Sequence, residues 1–209
     1  MDVPAPAASR IDSEFRIDSD TAAALDLVES VEGWLARDEA ALLLALAAAV
    51  PAGEAIVELG NYRGRSTVAL ALGARAGHGA VVTSVDPHHP FTGPRGGSFG
   101  PADQQHLYAN LARCGVGPEV RLVGLDSKSV ARAWNGLAVG LLFVDGDHRY
   151  EAVRADLDAW RPHLAPGALV ALDDCDYADV ARLIEERTAA GELCAVGRVG
   201  KVAVHALVG

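Results

Sequence analysis

The stretch that decides the fold is Val57-Glu58-Leu59-Gly60-Asn61-Tyr62-Arg63-Gly64-Arg65-Ser66-Thr67. It closes a short apolar run, bends at two glycines and enters a helical pattern. Gly60 and Gly64 let the backbone turn sharply and approach a ligand closely, while Ser66 or Thr67 can cap the following helix. A nucleotide-like ligand fits over such a turn. The spacing is neither G-x-G-x-x-G nor G-x-x-x-x-G-K-[ST], so the dinucleotide and P-loop fingerprints both fail.

Outward from this turn, short apolar runs alternate with helical segments. Ala55–Leu59, Ala80–Val85, Val120–Val123, Val139–Val144 and Ala168–Leu172 read as buried parallel strands, being short, rich in Val, Leu or Ala, and unbroken by polar alternation. Helix candidates lie at Thr67–Arg75, Asp103–Cys114, Ser127–Trp134, Tyr150–Arg161 and Tyr177–Ala190. This order predicts an α/β fold, a doubly wound, mostly parallel sheet with helices on both faces. Leu193–Val199 and Lys201–Val208, separated by Gly200, add two strands with a tight antiparallel connection and bring the sheet to seven.

Upstream, helical patterns run from Thr21 to Trp34 and from Asp38 to Ala49, with Asp38 as the expected N-cap of the second; Pro51-Ala52-Gly53 stops it. Residues 1–20 have no apolar period and read as a flexible arm, leaving residues 21–209 as one domain: helices over 21–50 and a core over 55–209. The length of 209 residues, half of them hydrophobic, suits one well-filled domain. Eighteen basic against twenty-eight acidic side chains give a formal charge of −10, which disfavours nucleic acid and anionic lipid as partners. Cys114, Cys175 and Cys194 lack CxxC spacing, and the longest apolar stretch is too short to span a bilayer. A soluble, cytoplasmic protein is expected.

The chemistry-bearing residues sit where strands end. Asp86 follows the second strand, 26 residues after Gly60, where an acid can take both hydroxyls of a ribose. The fourth strand delivers Asp145-Gly146-Asp147-His148-Arg149-Tyr150, and the fifth delivers Asp173-Asp174-Cys175-Asp176. Neighbouring strands lie about 4.8 Å apart, so Asp145, Asp173 and Asp174 can meet at one rim. Like charges crowded there call for a cation, and all-carboxylate ligation favours Mg²⁺, Mn²⁺ or Ca²⁺ over zinc. The loop Pro87–Pro101, with Phe91 and Phe99, reads either as a cover over the site or as plain flexible chain, and His88 and His89 within it as solvated.

On these residues the chain resembles class I S-adenosylmethionine-dependent methyltransferases, the small metal-dependent O-methyltransferases related to catechol O-methyltransferase and to macrocin- and novobiocin-type sugar methyltransferases. Glu58 to Thr67 looks like their first motif, E-x-G-x-x-x-G-x-S. Gly124-Leu125-Asp126-Ser127 resembles their G-D-S segment near the adenine, with Leu125 inserted or substituted. The likeness runs from about Gly33 to Leu172. It implies a Rossmann-like methyltransferase fold with an antiparallel C-terminal strand, and a homodimer. It also implies S-adenosyl-L-methionine as cofactor, held by Glu58, Gly60, Asn61, Tyr62, Gly64, Ser66, Thr67, Asp86, Asp126, Ser127 and Asp145. Asp145, Asp173 and Asp174 match the metal ligands. Where catechol-type members place a lysine base, this chain has His148, and the sugar-modifying relatives use the position of Asp147; both stay candidates for the catalytic base. The expected reaction is O-methylation of a small hydroxylated acceptor such as a sugar, polyketide or phenol in natural-product metabolism. Metal-independent N- or C-methylation and a non-catalytic nucleoside-binding scaffold are the alternatives. Trp34 and the N-terminal helices form a substrate wall, a dimer contact or a covering layer.

Overall fold

Strands buried on both faces are mostly apolar, and the runs rich in Val, Leu and Ala are the centre of the sheet; the buried polar side chains within them, Glu58 of the first and Thr83 and Ser84 of the second, are exceptions. The computed structural model describes residues 19–93 and 96–208. Its first elements are helices α1 (Ser19–Glu29) and α2 (Arg37–Ala48), strand β1 (Ala55–Leu59), helix α3 (Arg65–Ala76) and strand β2 (Val82–Val85). Two short strands, β3 (Phe91–Thr92) and β4 (Ser98–Phe99), precede helix α4 (Pro101–Arg113), strand β5 (Val120–Val123) and helix α5 (Ser127–Ala133). Strand β6 (Val139–Val144), helix α6 (Tyr150–Trp160), strand β7 (Leu164–Leu172), helix α7 (Ala178–Ala189) and strands β8 (Leu193–Val199) and β9 (Val202–Leu207) complete the chain.

The seven-stranded sheet has the order β5-β2-β1-β6-β7-β9-β8, and β9 alone runs against its neighbours. Consecutive residues of a strand face opposite sides, which divides the core in two. Ile56, Leu141 and Phe143 pack under α1 to α4, whereas Val57, Leu142 and Val144 pack under α5 to α7 around the fully buried Trp160. The expected doubly wound sheet with an antiparallel C-terminal strand is what forms.

Register is what positions the site. Leu59 pairs with Val85 on one side and Val144 on the other, and Val144 pairs with Leu172. The four strands therefore end level, and the next residues, Gly60, Asp86, Asp145 and Asp173, share one rim. Each is tied there by its own amide: Gly60 to Val85 O, Asp86 to Val123 O, Asp145 to Leu59 O and Asp173 to Val144 O, at 2.8–3.1 Å. The chain reverses its winding direction between β1 and β6, the switch point at which open parallel sheets bind ligands.

Several local expectations change. The expected arm lies outside the described residues up to residue 18, and Ser19 and Asp20 open α1. That helix stops at Glu29, so Trp34 lies in the loop before α2. Asp38 is not the cap of α2: the N-cap is Ala36, whose amide donates to Glu39 Oε2 at 2.7 Å, while Asp38 sits in the first turn. Nor do Ser66 and Thr67 cap α3. Gly64 occupies the N-cap position, at φ 90°, a left-handed conformation that favours glycine. The loop Pro87–Pro101 contains the antiparallel pair β3–β4. No helix among the described residues is long and apolar enough to cross a membrane.

Candidate active site

The glycine turn rests on a buried polar layer. Glu58 Oε2 accepts from Thr67 Oγ1 at 2.7 Å and from Ser84 Oγ at 2.6 Å, and Asn61 Nδ2 donates to the same Ser84 oxygen at 2.8 Å. Burial pushes Glu58 up to about 7; the hydroxyls of Ser66, Ser84 and Thr67 pull the other way, and the Asp145 charge adds to the rise. Folding thus tightens proton binding at Glu58, so its contribution to stability is complete below the ordinary value of 4.5 and is lost as pH rises through about 7. Between pH 5 and pH 8 the wild type should lose about 3 kcal/mol more stability than Glu58→Gln, measured by urea unfolding at each pH. Parallel pH slopes for the two proteins would contradict this assignment.

Asp86 stitches the tip of β2 to the turn. Its Oδ2 accepts from the amides of Asn61 at 3.1 Å and Tyr62 at 3.4 Å, and its Oδ1 accepts from His88 N at 2.8 Å. His88 is buried, contrary to the expectation of a solvated ring, with Nε2 3.1 Å from Tyr62 O. His89 is exposed. A carboxylate accepts about four hydrogen bonds, so Asp86 keeps acceptor capacity toward the cavity it lines.

Across the switch point lies the acidic cluster. Donor atoms of Asp145, His148 and Asp173 all fall within 4.8 Å of one another, a spacing that one cation can span. His148 Nδ1 is 3.2 Å from Asp174 Oδ2, and Nε2 is 3.5 Å from Asp145 Oδ1. Asp173 is buried, and its Oδ1 has no hydrogen-bond partner among the described residues. Such an orphaned acceptor beside two further carboxylates fits a hard cation. Burial and the Asp145 charge push Asp173 well above the usual carboxylate range, against the pull of Lys201.

Lys201, which no sequence motif marked, contacts Asp173 Oδ2 and lies 3.3 Å from Asp174 Oδ1. Burial alone would lower its affinity for a proton; the charges of Asp173, Asp145 and Asp174 outweigh it and raise it. Asp147 is engaged elsewhere. Its Oδ1 accepts from Arg149 N at 3.1 Å and its Oδ2 from Arg149 Nη1 at 2.8 Å. Arg149 also reaches Thr92 O at 3.3 Å and lies over the Phe91 ring, joining β3 to the Asp147 loop.

A cavity of about 890 Å³ unites these halves. Gly60, Asn61, Tyr62, Ser66 and Asp86 line it from the turn, Asp126 and Ser127 from the start of α5, and Asp145, Asp147, His148, Asp173 and Asp174 from β6 and β7. Glu58, Gly64 and Thr67, expected as cofactor contacts, are not part of the lining; Glu58 and Thr67 are fully buried beneath it and shape the turn. Asp126 N-caps α5 through Ser129 N at 3.0 Å, and Ser127 Oγ accepts from Trp160 Nε1 at 2.9 Å. Asp156 of α6 also lines the cavity, pushed up by burial and carrying no motif that would have revealed it. Trp34, Tyr62 and Phe99 form an aromatic wall with ring centroids 4.9–5.9 Å apart, so Trp34 borders the cavity rather than covering the sheet.

A family model described as a methyltransferase domain matches residues 57–175. Among solved structures, the chain is similar to cofactor-bound Rv0187 from MTB, with 23% identity, a TM-score of 0.61 and coverage of 91% of this chain and 90% of that one. A putative caffeoyl-CoA O-methyltransferase from Staphylococcus aureus gives 15% identity, a TM-score of 0.66 and coverage of 92% and 93%. An O-methyltransferase from Bacillus cereus in complex with SAH gives 18%, 0.64, and 95% and 94%. At these identities the likeness to solved structures is one of fold.

Proposed function

The chain belongs to the methyltransferase-domain family matched over residues 57–175, and from that premise we propose that it moves a methyl group from S-adenosylmethionine to an oxygen of a small hydroxylated acceptor at a divalent-cation site. One observation carries the reading: the level strand ends set Gly60 and Asp86 on the same rim as Asp145 and Asp173, around one cavity.

S-adenosylmethionine, when bound, supplies a methyl group already electrophilic on a positively charged sulfur. The chain's task is orientation and proton removal. The bare turn at Gly60 admits a ligand close to the backbone, Asp86 offers acceptors for ribose hydroxyls, and Asp126, Ser127 and Asp156 provide polar groups farther along the cavity. Asp145 and Asp173 would hold the cation, Mg²⁺ or a similar ion, together with Asp174, a choice of third ligand that leaves His148, the other group within reach of them, available for proton transfer. The ion would supply Lewis acidity toward the acceptor.

His148 is the better-placed base. With Nδ1 protonated toward Asp174, its Nε2 presents a lone pair beside Asp145, whereas both oxygens of Asp147 are held by Arg149. The wall of Trp34, Tyr62 and Phe99 favours an acceptor with a flat apolar body, a phenol bearing vicinal oxygens rather than a bare sugar.

Purified protein supplied with S-adenosylmethionine, Mg²⁺ and a panel of catechols and vicinal diols should yield O-methylated product by mass spectrometry. The activity should vanish with chelator and return with Mg²⁺. Turnover that ignores chelator would remove the metal half of the reading and favour N- or C-methylation; failure to bind S-adenosylhomocysteine would remove the cofactor half.

A further inference from the structure

The acidic cluster already has a cation. Lys201 stands at the turn between β8 and β9, and the antiparallel pairing of Leu172 with Ala203 brings that turn beside Asp173 and Asp174. Its main chain is fixed from two directions: the amide donates to Glu39 Oε1 at 2.9 Å, and the carbonyl accepts from Cys175 N at 2.9 Å. Glu39 is itself buried, and its other oxygen accepts from Ala36 N at the start of α2. The root of the side chain is therefore held rigidly while its tip reaches between two carboxylates, bonding Asp173 Oδ2 and standing 3.3 Å from Asp174 Oδ1.

One ammonium cannot satisfy three carboxylates, and the buried Asp173 Oδ1 keeps no partner despite it. The position that lysine occupies, however, lies against two of the carboxylates a divalent ion would use. We propose that Lys201 is a resident counter-cation of this cluster, displaced from Asp173 and Asp174 when a divalent ion binds, so that this one residue sets the affinity of the metal site. The inference rests on the metal-dependent reading above. A lysine is suited to the exchange, because its ammonium is a compact point charge on a flexible stem that can swing away while the backbone stays in place. Without metal, the ammonium keeps the carboxylates from repelling one another; with metal, it becomes surplus charge and weakens ion binding.

Titration calorimetry with Mn²⁺ on the full chain tests this. Lys201→Met should bind Mn²⁺ about tenfold to a hundredfold more tightly than wild type, the scale of one lost charge-assisted hydrogen-bond competitor. Lys201→Arg, which keeps the charge, should stay closer to wild type. Thermal unfolding gives a second readout: in metal-free buffer Lys201→Met should melt below wild type, and saturating Mn²⁺ should raise its midpoint more than that of wild type. Wild type and Lys201→Met binding Mn²⁺ equally would overturn the counter-cation role and leave the metal site standing. Neither protein binding Mn²⁺ at millimolar concentration would overturn the metal-dependent reading itself, and this inference with it.

Discussion

Gly60→Ala should abolish S-adenosylhomocysteine binding in calorimetry and lower the thermal midpoint by about 6–12 °C. The reason is local and double. Gly60 has φ 85°, a conformation that costs a residue bearing Cβ about 1–2 kcal/mol. The added Cβ would also lie 2.2 Å from Asp145 O, 2.7 Å from Asp145 C and 2.9 Å from Gly146 Cα. All three are backbone atoms of the neighbouring strand end, so relief requires β1 and β6 to separate at the rim where the proposed cofactor and cation sites adjoin. A total of about 3 kcal/mol or more follows, and each kcal/mol moves the midpoint of a chain this size by about 2–4 °C. A variant that binds S-adenosylhomocysteine like wild type and melts within about 2 °C of it would show that the switch point does not depend on a bare backbone.

His148→Gln should reduce kcat by about 10²- to 10⁴-fold, the usual contribution of a positioned general base. Glutamine retains a polar side chain of similar reach but cannot take a proton. S-adenosylhomocysteine affinity should stay at the wild-type value, because Gly60 and Asp86 lie on the other side of the switch point. Asp147→Asn should lose far less, since Asp147 is paired with Arg149 and its effect would come through the Arg149 contact to Thr92 O. Steady-state kinetics with a catechol found in the acceptor panel separates the two. Full activity in His148→Gln together with collapse in Asp147→Asn would transfer the base to Asp147.

What the sequence made legible follows from which forces act locally. β6 and the inner part of β7 are apolar, and β1 nearly so, because both their faces are covered, and that condition is written in the residues themselves; β2 was readable from its flanking valines although Thr83 and Ser84 lie between them. Asp86, Asp145, Asp173 and Asp174 were readable as a group because each directly follows, or nearly follows, such a run. The cap of α2 was hidden, since alanine has no side-chain acceptor and Glu39 does the work from three residues ahead. The β3–β4 pair was hidden too; two-residue strands carry no period. Glu58 matched a motif but turned inward, because Thr67 and Ser84 offer hydroxyls below the turn. Lys201 was least accessible of all. The turn after Gly200 could be read, but the rim it reaches depends on β9 pairing with β7 rather than with another strand, a choice made by the tertiary fold.

Diffraction at the manganese absorption edge, from crystals grown with S-adenosylhomocysteine and Mn²⁺, tests the shared site most directly. The expected map has one anomalous peak bonded to Asp145, Asp173 and Asp174, with the nucleoside sulfur facing it across the Gly60 turn and the ribose against Asp86. A peak elsewhere on the protein, or a nucleoside lodged away from that turn, would contradict the account.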